Sequence, residues 1–398
     1  MAKILLINDH SGFSGGGDAA LYLEKQALEE AGYEVYVLAF DKEANEHQRV
    51  ISYVEHRSRI VNKVRKFLGS NNISEFIRKK LEFIKPDVIH CHLISKYPID
   101  VYESISKYRV ITTLHGPNFF CATSWGGLMN GAPCEQGIGL KCFRRGCTSL
   151  VNASLYTYLT NKLWNNLKSN TSIFHCPSRN IYSVAHRLGL ENLTYKPLGI
   201  DSAFEKPVIK PLSSRPILLY VGAISEVKGI KVLFKSLLEI KKVFPNFLLK
   251  VAGKGILLDW CKNFVIEYDL QDNVEFLGFV DRHTVKELYI EANVFLMPSI
   301  WQEQFGLVGV EALACKTPCV ATNVGGIPEW LQHGQSGYLV PPHAVNELAD
   351  ATIKLLRSST MRQNFGEYGR SFVLEHYGAS KYKSNMLELV EKLLKSDE

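Results

Sequence analysis

The chain contains the same opening pattern twice, and this repetition limits the folds that it can adopt. Residues 3–9, KILLIND, form a short apolar run, followed by the glycine-rich turn SGGGDAA and a helical pattern of apolar residues up to Gly32. At residue 216 the pattern begins again with PILLYVG, the turn AISEVKG and the apolar helix IKVLFKSLLEIKKVF. A buried strand, a tight turn and a helix are the first half of a βαβ unit. The sequence therefore predicts two α/β domains of the Rossmann type.

Further apolar runs are expected to complete a parallel sheet in each half. They are EVYVLAF, KPDVIHCH, RVITTLHG and SIFHCPS in the first half, and NFLLKVAGKG, NVEFLGFV, ANVFLMPS and TPCVATN in the second. The segment 198–216 contains three prolines and three serines, which is typical of a linker. We therefore expect an amino-terminal domain, 1–200, and a carboxyl-terminal domain, 201–378, facing each other across a central cleft. The last helix, 379–398, is expected to pack back on the first domain.

Composition and length exclude several classes of protein. The 398 residues are 46% hydrophobic, which is ordinary for a globular chain of two domains. No apolar run reaches the 18 or so residues that span a bilayer, and MAKILLINDH turns polar too early for a signal peptide. These features predict a cytoplasmic protein, in which the nine cysteines are thiols or metal ligands rather than disulfides.

Familiar phosphate-binding motifs are missing. The first glycine cluster is not GxGxxG, the sequence has no GxxxxGK[ST], and no DxD pair is present to hold a metal-bound diphosphate. A diphosphate would therefore be held by backbone amides and a cation, without a metal or other cofactor.

The segment EQFGLVGVE places two carboxylates, Glu303 and Glu311, at the ends of an apolar stretch. If a helix begins near Phe305 and Gly306, its first amides can bind an anion, and glycine allows close approach. Glu303, before the helix, would bind sugar hydroxyls, whereas Glu311, inside it, would suit the diol of a ribose. The plainer interpretation is that Glu303 caps the helix and Glu311 lies on its exposed face. Sugar, diphosphate and ribose, in that order, make a nucleotide sugar.

The stretch SIWQEQFGLVGVEALACKTPCVATNVGGIPEWLQHGQSGYLV resembles the signature of the retaining, GT-B-fold glycosyltransferases of family 4, also called group 1. The resemblance continues through YVGAISEVKG, KVAGKG and VEFLGFV, and through GGG, EAGYEVYV, KPDVIHCH and TLHG in the first half. It covers nearly the whole chain. The family implies transfer of a sugar from a nucleotide diphosphate, UDP- or GDP-linked, with retention at the anomeric carbon.

The resemblance also implies residue roles. Glu303 corresponds to the acid that binds the donor sugar, Glu311 to the ribose ligand and Lys228 to the lysine that neutralises the diphosphate. His115 corresponds to a histidine near the anomeric carbon; a histidine bonded within the fold is the alternative. The remaining binding positions are backbone ones: Gly16, Val280 with Gly278 and Phe279, and the segment Phe305, Gly306, Leu307. The side chain of Phe279 is expected to pack rather than to recognise a ligand.

The sequence departs from the family pattern at three positions. Ala223 replaces the usual arginine, Leu198 a common asparagine and Lys316 a common glycine. Lys254 or Arg179 could supply the missing cation. Two alternatives to a transferase therefore stay open: a non-catalytic sugar-nucleotide-binding partner subunit, and a sugar phosphate phosphorylase or hydrolase of the same fold.

The family implies that the departing diphosphate is stabilised by Lys228 and the helix amides, with domain closure excluding water. The acceptor is expected to be a glycan or a lipid-linked glycan in surface polysaccharide synthesis, and no nucleic acid is involved. A basic stretch supports a peripheral membrane location. Between Arg57 and Lys85, nine Lys or Arg stand against two Glu, an excess of +7 where the whole chain has +6. A pair of solvated amphipathic helices is the alternative.

Four cysteines occur close together in the first half: Cys121, Cys134, Cys142 and Cys147. They could bind zinc, but the spacing lacks a C-x2-C pair. Unligated thiols in a substrate loop are therefore the preferred interpretation.

Overall fold

A computed structural model gives the fold. It describes residues 1–11, 16–41, 49–53, 69–115, 128–129, 132–133, 141–144, 146–147, 149–211 and 214–395. The chain divides into two compact units. The amino unit comprises Met1–Met129, Cys134–Leu198 and Tyr382–Glu398, and the carboxyl unit comprises Asn130–Pro133 and Gly199–Lys381.

The amino unit is built on a seven-stranded sheet with the order β3-β2-β1-β4-β5-β8-β9, in which neighbouring strands are parallel. Its strands are β1 Lys3–Asn8, β2 Glu34–Ala39, β3 Val50–Ser52, β4 Val88–Cys91, β5 Arg109–Thr113, β8 Ile173–Cys176 and β9 Leu193–Tyr195, and the two-residue strands β6 Leu128–Met129 and β7 Ala132–Pro133 come between β5 and β8 in the chain. The described helices before the linker are α1 Gly16–Glu30, α2 Asn71–Ile84, α3 Pro98–Ser104, α4 Lys141–Arg144, α5 Leu150–Ser169 and α6 Arg179–Arg187.

The carboxyl unit is built on a six-stranded parallel sheet with the order β12-β11-β10-β13-β14-β15. Its strands are β10 Ile217–Val221, β11 Leu248–Ala252, β12 Val274–Gly278, β13 Val294–Met297, β14 Cys319–Thr322 and β15 Gly337–Val340. The helices are α7 Ile230–Val243, α8 Leu258–Glu267, α9 Arg282–Glu291, α10 Leu307–Ala314, α11 Ile327–Trp330, α12 Val345–Arg357 and α13 Ser359–Tyr377, and α14 Ala379–Leu394 leads back to the amino unit.

The strands are apolar because helices cover both faces of each sheet. Every residue of β4, β8, β13 and β14 is buried, as expected for a parallel sheet between two helical layers. All the strands predicted from apolar runs are present, which confirms the α/β assignment. The short strands β3, β6, β7, β9 and β15 were not predicted as strands.

Helix α14 packs on the amino unit. The hydroxyl of Tyr382 donates to the carbonyl of Ala20 at 3.0 Å, and the ammonium of Lys383 lies 2.7 Å from Glu30. These contacts join the end of the chain to helix α1, which follows the first glycine turn.

The second half of the basic stretch is an amphipathic helix, α2, whose aliphatic side chains are buried at Ile73, Ile77, Leu81 and Ile84. The aromatic side chain of Phe83, on the same helix, has 75% of its surface exposed. Residues 57–68 lie outside the described residues. Among the described helices, none is long and apolar enough to cross a bilayer.

The four-cysteine cluster is described only in part, because Cys121 and Cys134 lie outside the described residues. Cys142 is buried and Cys147 is partly exposed, and both are free thiols. The amide of Cys147 donates to the carbonyl of Cys142 at 2.8 Å. This contact is a backbone turn and does not test the zinc hypothesis.

Candidate functional site

The segment between Glu303 and Glu311 forms a loop that leads into helix α10. The helix begins at Leu307, which confirms the predicted start, and Gly306 precedes it with a φ of 88°. That left-handed conformation favours glycine, and a Cβ added at this position would also lie 2.9 Å from the Met297 methyl group. The Gly309 amide donates to the Gly306 carbonyl at 2.9 Å, whereas the amides of Leu307 and Val308 have no backbone partner within the described residues. These two amides can therefore bind an anion.

The side chains beside Gly306 are structural. Phe305 and Leu307 are buried, and the ring of Phe305 packs edge-on against Tyr377 at 5.2 Å between centroids. The indole nitrogen of Trp330 donates to the Phe305 carbonyl at 2.5 Å. Phe305 and Leu307 therefore use their side chains for packing, which fixes the backbone that the sequence predicted to meet the phosphate.

Glu303 is 5% exposed and already has two polar partners. The Lys228 ammonium and the Ser299 hydroxyl each donate to its Oε1 atom at 2.6 Å. Within the described residues no hydrogen bond ends on Oε2, and that atom is not among the buried polar atoms without a partner. Oε2 is therefore open to a further donor, while Oε1 holds Lys228.

Two neighbouring strands bring Lys228 and Glu303 together. Lys228 ends the 3₁₀ turn Glu226–Lys228 after β10, and Glu303 follows β13, the neighbour of β10 in the sheet. The amide of Ile300 donates to the Val227 carbonyl at 2.9 Å and ties the two loops together. The Lys228 ammonium also lies 4.6 Å from the centre of the Trp301 ring, a cation–π contact. Ligands of open α/β sheets bind at this edge, outside the carboxyl ends of the strands.

Glu311 lies about one turn inside α10 and is 7% exposed. The Arg282 guanidinium contacts its Oε1 atom at 3.2 Å, and the Tyr289 hydroxyl contacts Oε2 at 3.5 Å. Burial raises the pKa of Glu311 to about 7, although Arg282 acts in the opposite direction. Since the carboxyl group is not on an exposed helix face, the plainer interpretation of Glu311 is wrong.

The backbone patch predicted to hold the base follows strand β12. Gly278 ends the strand with a φ of 69°, and Val280 is partly exposed. Phe279 is 63% exposed, so the prediction that its side chain packs in the interior is wrong. Its ring is available to a planar group, which the sequence pattern alone did not indicate.

Ala223, where the family has arginine, is exposed at the end of β10. The neighbouring loop brings Lys254 close, because the amide of Ile224 donates to the Lys254 carbonyl at 2.9 Å. Arg179, the other candidate substitute, lies in the amino unit, with its guanidinium 5.0 Å from the Tyr195 ring centre. Lys254 is therefore the candidate that lies in the same unit as Ala223.

The other two departures have structural counterparts. Leu198 is buried. Lys316 has a φ of 59°, a left-handed conformation that explains why glycine is common there in the family. Its ammonium pairs with Glu367 at 2.7 Å.

In the amino unit, Gly16 is the first residue of α1, and His115 follows β5. A Cβ added at the next glycine, Gly17, would lie 3.8 Å from Cγ of His115, so the helix start and the histidine are neighbours. His115 is buried, and its Nε2 atom lies 3.0 Å from Nδ1 of His92. Burial, with the neighbouring His92, lowers the pKa of His115 well below its ordinary value.

His115 therefore belongs to a buried polar cluster that the sequence analysis missed. Glu24 in α1 contacts two histidines of β4 and the residue after it: His90 at 2.6 Å and His92 at 3.1 Å. Two features of the amino-acid sequence could have predicted this cluster. Glu24 interrupts the apolar face of a helix, and His90 and His92 alternate along a strand so that both side chains point to one face. In the carboxyl unit, Arg282 and Tyr289 were also missed, since they are 29 and 22 residues from Glu311. Ser299 and Trp301 were missed although they lie close to Glu303 in the sequence.

Solved structures identify the architecture first. Sucrose-phosphate synthase from Thermosynechococcus elongatus matches with a TM-score of 0.77 at 21% identity, over 99% of both chains. The Anabaena protein Alr3699/HepE in complex with UDP-glucose matches with a TM-score of 0.75 at 16% identity, over 98% of this chain and 100% of that one. The fold is thus the GT-B fold, with two Rossmann-like domains.

Sequence comparison then gives the family. Residues 14–204 match the family model described as Glycosyltransferase Family 4, and residues 201–372 match Glycosyl transferases group 1. The chain belongs to the glycosyltransferases of family 4. N-acetyl-alpha-D-glucosaminyl L-malate synthase of Bacillus anthracis is 28% identical over 323 residues, 78% of this chain and 76% of that protein. Glycogen synthase of Mycobacterium tuberculosis is 32% identical over 275 residues, 68% and 60% of the two chains.

Proposed function

We propose that the protein transfers a sugar, with retention at the anomeric carbon, from a nucleotide diphosphate sugar to a glycan or lipid-linked glycan. The observation that carries the proposal is the order of groups around α10. The Lys228–Glu303 pair lies before the helix, its first amides follow, and Glu311 lies one turn inside. These groups suit the sugar, the diphosphate and the ribose of one donor.

The hydrogen bonds of Glu303 support its role with the sugar. Both donors from the protein end on Oε1, so Oε2 remains for a sugar hydroxyl. A carboxylate accepts such hydrogen bonds strongly because it is charged. We propose that Glu303 orients the transferred ring through Oε2.

Lys228 and the α10 amides would stabilise the leaving group. The charge on the diphosphate increases as the glycosidic bond breaks, and prearranged donors at that point lower the barrier. No side chain of the described site stands out as a covalent nucleophile. We infer that the departing phosphate oxygen itself takes the acceptor's proton, on the face from which it leaves.

The donor assignment agrees with what similar proteins bind. The Anabaena structure contains UDP-glucose, and the Bacillus anthracis relative is named for an N-acetylglucosaminyl product. We therefore propose a UDP- or GDP-linked hexosyl or N-acetylhexosaminyl donor. Val280, with Gly278 and the exposed Phe279, would hold the base.

For the amino unit, the family resemblance supplies the roles. We propose that His115 contacts the transferred sugar, that Gly16 lets the diphosphate approach, and that this unit binds the acceptor. His115 is buried but keeps one ring nitrogen, Nδ1, without a partner among the described residues.

We further propose that the enzyme works at an anionic membrane surface, on a carrier-linked glycan of a surface polysaccharide. The support is helix α2, which exposes Phe83 beside Lys79 and Lys80. Each basic side chain near an anionic leaflet contributes about 1 kcal/mol. Liposome flotation tests this: binding should require anionic lipid and weaken with salt. Two results together would reject the membrane location. The protein would stay unbound to liposomes with and without anionic lipid, and the Lys79→Glu, Lys80→Glu variant would have normal activity on a lipid-linked acceptor.

The alternative function is a sugar-nucleotide-binding subunit without turnover, and the absence of an arginine at Ala223 favours it. Thermal-shift screening against UDP-, GDP- and dTDP-sugars identifies the donor, since a ligand at 100 times its Kd adds about 2.7 kcal/mol of stability. Release of the nucleoside diphosphate with candidate acceptors then separates the two functions. A transferase releases it in proportion to acceptor, whereas a binding subunit is stabilised but releases none.

A further inference from the structure

The buried cluster beneath His115 is a chain of polar groups in close contact, with no role in the function proposed above. It runs from the Lys196 carbonyl through His175, Thr113 and His90 to Glu24. From Glu24 it continues through His92 to His115. All the side chains are buried in the amino unit, so each proton must be placed by its neighbours.

The Lys196 carbonyl, at one end of this series of polar groups, fixes which group donates and which accepts in the hydrogen bonds next to it. The Lys196 carbonyl can only accept, so Nε2 of His175 carries a hydrogen and donates to it at 2.7 Å. Burial lowers the pKa of His175 to about 3, so its ring is neutral and Nδ1 is an acceptor. The Thr113 hydroxyl therefore donates to Nδ1 at 2.8 Å. Its oxygen then accepts from Nε2 of His90 at 2.7 Å.

Each of the two carboxylate oxygens of Glu24 contacts a histidine. Its Oε1 atom lies 2.6 Å from Nδ1 of His90. Its Oε2 atom and Nε2 of His92 are buried 3.1 Å apart as an ion-pair contact, and neither atom makes a well-aligned hydrogen bond within the described residues. Burial alone would raise the pKa of Glu24, but the His90 and His92 rings hold it well below its ordinary value. An ionised carboxylate oxygen 3.1 Å away repels a nitrogen lone pair, so Nε2 of His92 carries the hydrogen of that ring.

His92 then determines the state of His115. Burial lowers the pKa of His92, so its ring is neutral, with the hydrogen on Nε2 and an acceptor at Nδ1. The contact of 3.0 Å requires one hydrogen, which Nε2 of His115 must supply. The other nitrogen of His115, Nδ1, is left as an unprotonated acceptor.

We propose that Glu24 and His92 are positioning residues that hold His115 as its Nε2–H tautomer. Nδ1 of His115 would then accept a hydrogen bond from a hydroxyl of the transferred sugar. This use of the nitrogen rests on the function proposed for His115, but the tautomer itself does not. A carboxylate that fixes a histidine tautomer through one ring nitrogen defines what the other can do.

Three residues of the cluster, Glu24, His90 and His92, also have the ligand types of a metal site. Ligand atoms of Glu24, His90 and His92 lie within 4.8 Å of one another, a set that also suits zinc. The Nδ1 atom of His90 already hydrogen-bonds to Oε1 of Glu24 at 2.6 Å, whereas Oε2 of Glu24 and Nε2 of His92 have no hydrogen-bond partner within the described residues. A hydrogen on Nε2 of His92 balances the charge of Oε2, and a metal ion would have to take the place of that hydrogen. Metal binding and the hydrogen-bond chain therefore exclude each other at this cluster.

Nitrogen-15 NMR of the histidine rings in the free protein tests the tautomer directly. We expect His115, assigned by comparison with His115→Gln, to show a protonated Nε2 and an unprotonated Nδ1 at neutral pH. A protonated Nδ1, or a doubly protonated ring, would overturn the proposal. The proposal would also be overturned if the purified wild type contained one equivalent of zinc that is lost when Glu24 is replaced.

Two variants of similar volume separate hydrogen bonding from packing. Glu24→Met cannot accept from His92, so His115 should become a mixture of tautomers and kcat should fall about tenfold or more. Glu24→Gln keeps an acceptor for His92 and should retain the Nε2–H signal. An unchanged His115 spectrum in folded Glu24→Met, or equal loss in both variants, would reject the positioning role. Because the spectra need no donor, failure of sugar transfer would leave this result standing.

Discussion

The ammonium of Lys228 lies 2.6 Å from Oε1 of Glu303. The group proposed to neutralise the leaving diphosphate is thus held by the group proposed to orient the sugar. Ser299 donates to the same oxygen, and Trp301 lies under the ammonium. The pair is a preformed element of the free protein rather than one assembled by the ligand.

Replacing Lys228 should impair turnover more than folding. In Lys228→Met the buried Glu303 carboxylate keeps only the Ser299 hydroxyl, and one donor to the leaving group is lost. We expect kcat to fall by about 10²–10³, the cost of removing one transition-state donor. Lys231→Met is the matched control, because Lys231 pairs with Glu226 at 2.7 Å on the surface. An exposed pair contributes about 0–1 kcal/mol, so Lys231→Met should act like the wild type. Equal losses in both variants would contradict the role of Lys228.

Ala223→Arg should strengthen leaving-group binding. The side chain at 223 is exposed, so an arginine fits without repacking, and a second charged donor could add about 1–3 kcal/mol. We expect faster turnover with the natural donor. Unchanged turnover in Ala223→Arg, with a severe loss in Lys254→Met, would show instead that Lys254 already fills this role.

Donor affinity should depend on pH through Glu311. The pKa of this group is raised from 4.5 to about 7 by burial, and a ribose diol donates more strongly to the ionised carboxylate than to the neutral acid. Binding therefore favours deprotonation, and affinity should rise with pH up to about 7 and then level off. Below that pH, Kd should increase by up to about tenfold per unit. Titration with an intact nucleotide sugar checks this, since its diphosphate does not titrate in the range. Glu311→Gln should bind weakly and without this dependence; an unchanged pH profile would exclude Glu311 as its source.

Gly309→Ala should destabilise the carboxyl unit. Alanine is the better helix former by about 1 kcal/mol, so propensity alone predicts a gain. A Cβ at this position, however, would lie 2.0 Å from the buried Trp330 ring. Overpacking of this kind costs about 1–3 kcal/mol, and we expect a lower free energy of unfolding in urea. The smaller ring of Trp330→Phe should make the same substitution less harmful. Additive losses in the double variant would show that the Trp330 contact is not the cause.

Local sequence patterns predicted most of the fold, because parallel strands are buried on both faces and give continuous apolar runs. A helix was likewise expected to begin near Phe305 and Gly306, and it begins at Leu307. Contacts between distant residues were not predictable in this way. Glu24 and His90 are 66 residues apart, and only the sheet order brings them together. Phe279 was misassigned because an aromatic residue after a strand has the same pattern whether it packs or is exposed.

The central claim is that Glu303 binds the sugar of the donor and Glu311 binds its ribose. Calorimetric titration of the wild type, Glu303→Gln and Glu311→Gln with the free nucleoside diphosphate, alongside turnover of the intact donor, tests it most directly. Glu303→Gln should bind the nucleotide within about twofold of the wild type but lose about 10²-fold or more in kcat. Glu311→Gln should lose about tenfold or more in affinity for nucleotide and donor alike, as expected when a charged hydrogen bond of about 1.5–3 kcal/mol is removed. Wild-type turnover in Glu303→Gln, or weakened nucleotide binding in that variant equal to Glu311→Gln, would contradict the account.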